Sequence, residues 1–102
     1  MTHPSKVKGN GFERELVNQA KSKGLDAERA YASNGRALGC SEEVDLIVSG
    51  MRVQAKRRKA IAAFLRPPEG ADCVAFRENH GKTYALLRWE DLLDLIDAAG
   101  GW

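Results

Sequence analysis

Two neighbouring stretches of the chain, residues 44–48 and 51–56, alternate apolar and polar positions with a period of two. This alternation predicts two half-buried β-strands, and Ser49-Gly50 between them has the composition of a two-residue hairpin loop. A loop of that length fixes the register, and opposed side chains share a face of the hairpin. The predicted opposed pairs, which form a largely polar face, are Ile47 with Arg52, Asp45 with Gln54, and Glu43 with Lys56. The other face is wholly apolar and consists of Val44, Leu46, Val48, Met51, Val53 and Ala55.

Helical periodicity appears near both ends of the chain. Over residues 12–23 the apolar side chains recur at helical spacing, and Gly24 follows as a stop signal. These apolar positions are Phe12, Leu16, Val17 and Ala20. Residues 90–99 predict a second amphipathic helix. Its inward face is Leu92, Leu93, Leu95, Ile96 and Ala99.

The remaining segments complete a mixed architecture. Residues 25–33 predict a strand, and residues 60–66 predict a short helix that Pro67-Pro68 stops. Residues 73–77 and 83–88 predict a second hairpin. The order is therefore helix, three strands, helix, two strands, helix, which predicts an α/β or α+β sandwich around a mixed sheet.

Composition adds bounds on location and partners. A chain of 102 residues, 43% hydrophobic and 29% charged, suits one globular domain, 1–102. No apolar run approaches the roughly 18 residues of a membrane helix, and the start MTHPSKVKGNG lacks the apolar core of a signal peptide, so we expect a cytoplasmic protein without a membrane partner.

Cys40 and Cys73 show no zinc-site spacing, which predicts free thiols. Residues 1–59 hold 12 Lys/Arg against 7 Asp/Glu, so the first half is the candidate for meeting a polyanion.

Glu13 falls on the inward side of the first predicted helix. At about 100° per residue, with Phe12 at zero, Glu13 lies near 100° and the apolar arc is centred near 70°. An inward carboxylate is costly unless it is paired, protonated or bound to a cation. Two interpretations stay open: Glu13 pairs with Arg29, or it joins Asp45 at the polar face of the hairpin.

The second interpretation would gather a set of oxygen ligands. Two carboxylates, one amide oxygen and one ammonium group in a small space suit a Mg²⁺ or Mn²⁺ site with a lysine beside it. Next to the basic run KRRK, such a site predicts phosphodiester hydrolysis, in which the ion polarises the phosphate and acidifies a water molecule. A half-solvated hairpin with an ordinary polar face is the alternative.

These segments resemble the PD-(D/E)xK nuclease superfamily, and within it the Holliday junction resolvases of archaeal type and their phage-encoded relatives. GNGFERELVNQAKSKGLDAERAYAS is similar to their first helix and strand, and EVDLIVSGMRVQAKRR to their catalytic hairpin. The resemblance covers residues 8–59 and implies a restriction-endonuclease-like fold. That fold has a central mixed five-stranded sheet flanked by helices, in the order α-β-β-β-α-β-β-α.

The resemblance also implies roles for individual residues. Glu13 corresponds to the helix-borne acid and Asp45 to the central metal ligand, while Lys56 corresponds to the motif lysine. The carbonyl of Ala55 is a further expected ligand, Ser33 corresponds to a serine that approaches the site from the first strand, and Arg29 to a strand arginine near it. Two positions depart from the pattern. Val44 replaces a frequent proline, and Gln54 replaces the usual third acid, which lowers the charge offered to the metal.

The same resemblance predicts the partners. The expected DNA contacts are Lys6, Lys8, Arg29, Arg36, Lys56, Arg57, Arg58 and Lys59, which would bind phosphates rather than read bases. Paired incision of a four-way junction suits a twofold homodimer. Trp89, Trp102, Phe64 and the leucines of the last helix are candidates for its interface or for ordinary core packing.

The sequence thus predicts a Mg²⁺-dependent, structure-selective endodeoxyribonuclease, a Holliday junction resolvase. Three alternatives remain. They are a nuclease of the same fold with another DNA substrate, a DNA-binding module in which Gln54 has weakened the metal site, and a protein-interaction domain without a nucleic-acid role.

Overall fold

The computed structural model describes residues 4–30 and 43–102, and gives only the backbone for residues 4–10. The helices are α1 (Pro4–Ser22) and α2 (Trp89–Ala99), with one 3-10 turn at Ala63–Leu65. The strands are β1 (Ala27–Arg29), β2 (Leu46–Val48), β3 (Met51–Val53), β4 (Cys73–Phe76) and β5 (Tyr84–Leu87). They belong to two compact units, one formed by the described residues up to Arg57 together with Leu93–Trp102, the other by Arg58–Leu92.

Helix α1 starts earlier than its apolar pattern predicts but ends where the sequence indicates. Gly24 adopts a φ of 81°, a left-handed conformation that glycine tolerates without a side-chain clash. Its N–H donates to the carbonyl of Lys21, and the N–H of Leu25 donates to that of Ala20. These two bonds form a Schellman motif, which satisfies carbonyls at the end of the helix.

The first unit contains an antiparallel sheet in the order β1-β2-β3. Strands β2 and β3 pair Ile47 with Arg52 and Val48 with Met51, so the predicted register is confirmed. Ser49 and Gly50 both have positive φ values, 47° and 92°, as a type I′ hairpin turn requires. The predicted outline of the strands is wrong at one end, because both stop at the Leu46–Val53 pair rather than continuing to residues 44 and 56.

The buried apolar side chains among the described residues all lie in the first unit. They are Leu16, Val17, Ala20, Leu25, Ala30, Leu46, Val48, Leu93 and Ile96. Leu16, Val17 and Ala20 confirm three inward positions of α1, and Leu46 and Val48 are fully shielded in the hairpin, where Met51 and Val53 are half-buried. In α2 the burial of Leu93 and Ile96 is as predicted, but Leu95 is 60% exposed and Ala99 is exposed, so the predicted inward face is wrong at these two positions. Helix α1 therefore packs its apolar stripe against β1 and β2, which fixes the side from which Glu13 approaches the sheet.

The second unit is built on the β4–β5 hairpin, whose predicted position is confirmed by the pairing from Cys73–Leu87 to Phe76–Tyr84. The helix predicted over residues 60–66 shortens to the single 3-10 turn. Its first residue lacks a side-chain cap, and Pro67 disfavours helical backbone in the residue before it. The rings of Phe64 and Phe76 meet edge to face with centroids 6.0 Å apart, and Phe76 and Tyr84 lie 5.9 Å apart.

The described residues thus form a mixed α+β structure with two helices and two small antiparallel sheets, of three and two strands. A five-stranded mixed sheet is not formed among them. In the described part of the chain no helix is long and apolar enough to span a bilayer.

Candidate functional site

The β2–β3 ladder changes its pattern at Asp45. Leu46 pairs with Val53, and the N–H of Asp45 donates to the same residue's carbonyl at 2.8 Å. Asp45 and Leu46 therefore both lie opposite Val53, as in a β-bulge. A bulge bends its strand and changes the direction of the side chain there, in this case that of Asp45. The predicted opposition of Asp45 to Gln54 and of Glu43 to Lys56 lies beyond the last pair of the ladder.

The carboxylate of Asp45 is fixed by the opposite strand's backbone. Its Oδ2 accepts a hydrogen bond of 2.7 Å from the N–H of Ala55. The side chain is half-buried, whereas Gln54 and Lys56 on either side of Ala55 are exposed. The acid is therefore held against the QAK segment, Gln54 to Lys56, although it is not in the strand register that the alternation predicts.

Glu13 is paired with Arg29. The Nη2 and Nε atoms of the guanidinium lie 3.1 and 3.3 Å from Glu13 Oε2. The side chain of Arg29 is 12% exposed and that of Glu13 is 20% exposed, so the pair is largely shielded from water. The inward orientation of Glu13 is confirmed, and of the two interpretations left open by the sequence, the structure shows the pairing with Arg29.

Both acids are connected to the end of β1. Arg29, which holds Glu13, is the last residue of β1 and pairs with Leu46. The next residue, Ala30, donates its N–H to the backbone carbonyl of Asp45 at 2.9 Å. One short segment of β1 thus links the acid on α1 to the acid that precedes β2.

The donor set is compatible with a hard divalent cation. Each carboxylate uses one oxygen in the contacts above, Oε2 for Glu13 and Oδ2 for Asp45. The other oxygen of each, with an amide oxygen from Gln54, is of the type that Mg²⁺ and Mn²⁺ prefer. Within residues 4–30 and 43–102, His, Cys, Asp and Glu side chains form no group of three or more that could hold a metal. These side chains alone therefore do not form a metal site in the described part of the chain, and a cation bound here would need the amide oxygen, backbone carbonyls or water as further ligands.

The predicted DNA contacts fall into three groups. Lys56 is the last residue of the QAK segment, and Arg57, Arg58 and Lys59 follow it directly; all four are exposed. Arg29 is largely buried and forms an ion pair with Glu13. This environment favours a structural role for Arg29 over the expected contact with DNA. Lys6, Lys8 and Arg36 lie outside the described side chains, as does Ser33, the serine expected to approach the catalytic site.

Two features of this region were not found by sequence reasoning. At the bulge, the carboxylate of Asp45 replaces a backbone carbonyl as the acceptor for the N–H of Ala55. The one sequence signal for this is an aspartate at a predicted strand position. The second feature is a shallow groove of about 390 Å³, lined by Arg14 and Lys21 of α1 together with Glu28 and Arg29 of β1.

Comparisons of the chain with protein-family models, curated proteins and solved structures gave no match.

Proposed function

We propose that the chain is a Mg²⁺- or Mn²⁺-dependent, structure-selective endodeoxyribonuclease whose substrate is branched DNA, most specifically a four-way junction. The observation that carries this proposal is the 2.7 Å hydrogen bond from the N–H of Ala55 to Asp45. It holds an acid against the segment that contains Gln54 and Lys56. An acid, an amide oxygen and an ammonium group on one short hairpin are the parts that metal-assisted phosphodiester hydrolysis needs.

In this proposal Glu13, Asp45, Gln54 and the Ala55 carbonyl would hold the cation. When bound, the ion would polarise the phosphate and acidify a water molecule. Lys56 would orient the attacking water or stabilise the negative charge that develops on the phosphate, because an ammonium group beside the reacting phosphate is an electrostatic partner for an oxyanion. Ser33 would assist from the end of the first strand.

The finer architecture belongs to the same proposal. We propose a restriction-endonuclease-like fold in which the strands of both hairpins join one central mixed sheet. The exposed cations Lys56, Arg57, Arg58 and Lys59 would bind DNA phosphates beside the site, together with Lys6, Lys8 and Arg36. Their contacts would recognise the backbone of a branch rather than a base sequence.

Two matched incisions require two sites, so we propose a twofold homodimer. Phe64 and Trp102 are 64% and 79% exposed, and both were interface candidates from the sequence. Exposed aromatic side chains of this kind are typical of interface anchors. Trp89 is half-buried and Leu93 is fully buried, which favours core packing for these two.

A cleavage assay with matched variants tests the proposal. Labelled four-way junction and linear duplex of the same arm sequence are incubated with Mg²⁺, Mn²⁺ or EDTA. The native protein is compared with Asp45→Asn, whose amide oxygen can still accept the Ala55 N–H, and with Asp97→Asn, an exposed aspartate on α2. We expect metal-dependent nicks in the junction from the native protein and from Asp97→Asn, and none from Asp45→Asn. Equal cleavage by all three proteins would contradict the assigned site.

A second candidate is a DNA-binding module without catalysis. It is favoured by Gln54 in place of an acid and by the ion pair that neutralises Glu13. This candidate predicts junction binding without cleavage in any metal, and cleavage gained on Gln54→Glu.

A further inference from the structure

Helix α1 presents a row of polar side chains outside the candidate site. Arg14, Asn18 and Lys21 are spaced four and three residues apart, which places them within an arc of about 60° on one side of the helix. All three are exposed. The adjacent acid Glu15 lies about 100° away from Arg14 around the helix, off this row.

These side chains line a concave surface rather than a convex one. A groove of about 390 Å³ runs beside α1 and β1, and its lining residues are Arg14, Val17, Asn18, Lys21, Glu28 and Arg29. Cations at a concave surface reinforce one another's field, which attracts an anion more strongly than scattered surface charges do.

The two exposed cations of the groove, Arg14 and Lys21, have no partner among the described residues. Arg14 and Lys21 make no hydrogen bond or ion pair with any residue in the described part of the chain. Other cations of this unit differ, since Lys23 pairs with Asp94 at 2.6 Å and Arg29 pairs with Glu13 at 3.1 Å. Because Arg29 is already matched by Glu13, Glu28 is the remaining acid in the lining, against these two cations.

We propose that this groove, defined by Arg14, Asn18 and Lys21, binds the phosphates of a DNA strand. The inference rests on the proposed function and adds a contact surface on α1 to the basic run that follows β3. Arginine, lysine and asparagine are all side chains that contact DNA phosphates. Arg14 and Lys21 are about 10 Å apart along the helix axis, whereas successive phosphates advance about 3.4 Å per strand along the duplex axis, so the two cations contact different phosphates.

The test is the salt dependence of DNA binding in EDTA, where no cleavage interferes. The probe is a fluorescent four-way junction, titrated at several KCl concentrations with the native protein and with Arg14→Gln/Lys21→Gln. Lys23→Gln serves as the matched control, because it removes the same charge two residues from Lys21 but outside the groove. Glutamine has a helix propensity close to that of arginine and lysine, and thermal unfolding checks that α1 is intact.

We expect the slope of log K against log [KCl] to fall in magnitude by about 2 in the double variant, one unit for each lost phosphate contact. Binding at about 0.15 M salt should weaken at least tenfold. Lys23→Gln should keep the native slope, and the charge-preserving Arg14→Lys/Lys21→Arg should restore it. A double variant with the native slope, while the native protein still binds and cuts the junction, overturns the groove but leaves the nuclease proposal standing. If the native protein binds no DNA at low salt, both proposals fail.

Discussion

Asp45 and Ala55 are joined by a hydrogen bond that takes the place of a backbone rung in the β2–β3 hairpin. In a continued antiparallel ladder the N–H of Ala55 would donate to a carbonyl of the opposite strand. Instead it donates to Asp45 Oδ2 at 2.7 Å, two residues beyond Val53, the last paired residue of β3. The acid thus has a structural role as an acceptor in addition to the metal-binding role proposed for it.

This double role predicts that two substitutions of Asp45 separate stability from activity. Asp45→Ala leaves the half-buried N–H of Ala55 without its acceptor, so the free energy of unfolding should fall by about 1–2 kcal/mol. Asp45→Asn retains an oxygen acceptor and should lose less than half as much, yet be equally inactive. Urea unfolding followed by circular dichroism measures the first quantity. Equal stability of Asp45→Ala and the native protein would show that the hydrogen bond is unimportant.

The Glu13–Arg29 pair should be energetically coupled. Both side chains are largely shielded from water, and the guanidinium contacts one carboxylate oxygen through two nitrogens. A double-mutant cycle with Glu13→Gln and Arg29→Gln should give a coupling energy of about 1 kcal/mol.

The Lys23–Asp94 pair provides the reference for that cycle. Its side chains are 33% and 63% exposed, so the same substitutions there should give a coupling below about 0.5 kcal/mol. A coupling energy for Glu13–Arg29 no larger than this reference would contradict the expectation that partial burial strengthens the pair.

Gln54 limits the charge available to a cation. Gln54→Glu adds a third carboxylate beside Asp45, and a divalent ion should then bind at least about tenfold more tightly. Isothermal titration with Mn²⁺ measures this without reference to cleavage. Gln19→Glu, an exposed change on α1, is the control and should leave Mn²⁺ binding unchanged. Unaltered Mn²⁺ affinity in Gln54→Glu would place the metal elsewhere.

Phe64 should contribute to self-association. Its ring is 64% exposed and contacts Phe76 edge to face. Phe64→Ser should weaken a homodimer at least tenfold in sedimentation equilibrium, because truncation of a central aromatic anchor commonly costs 2 kcal/mol or more, about thirtyfold. Ala75→Ser, an exposed change in the same unit, should not. A native protein that stays monomeric at high concentration would exclude this interface.

The sequence predicted the hairpin register because a two-residue loop permits only one pairing, and Ile47 does face Arg52. It also predicted that Glu13 points inward, since the apolar arc of α1 is set by helical geometry. The strand ends could not be predicted in this way. They depend on the Asp45 carboxylate competing for the N–H of Ala55, a choice that periodicity does not encode.

The partner of the Glu13 carboxylate could not be predicted from the apolar pattern of α1 either. Periodicity placed Glu13 on the correct face of the helix, but its carboxylate could have contacted either Arg29 or the hairpin. The ion pair with Arg29 forms because β1 brings that residue to Glu13 in three dimensions. The groove lined by Arg14 and Lys21 was missed because those residues read as an ordinary solvated helix face until β1 is packed beside them.

The most direct test of the central claim is the cleavage of a four-way junction in Mn²⁺ by the native protein and by Asp45→Asn. We expect paired, metal-dependent nicks near the branch from the native protein, none in linear duplex, and none from Asp45→Asn. A folded native protein that binds the junction but leaves both strands intact in every divalent metal would contradict it and would favour a binding module.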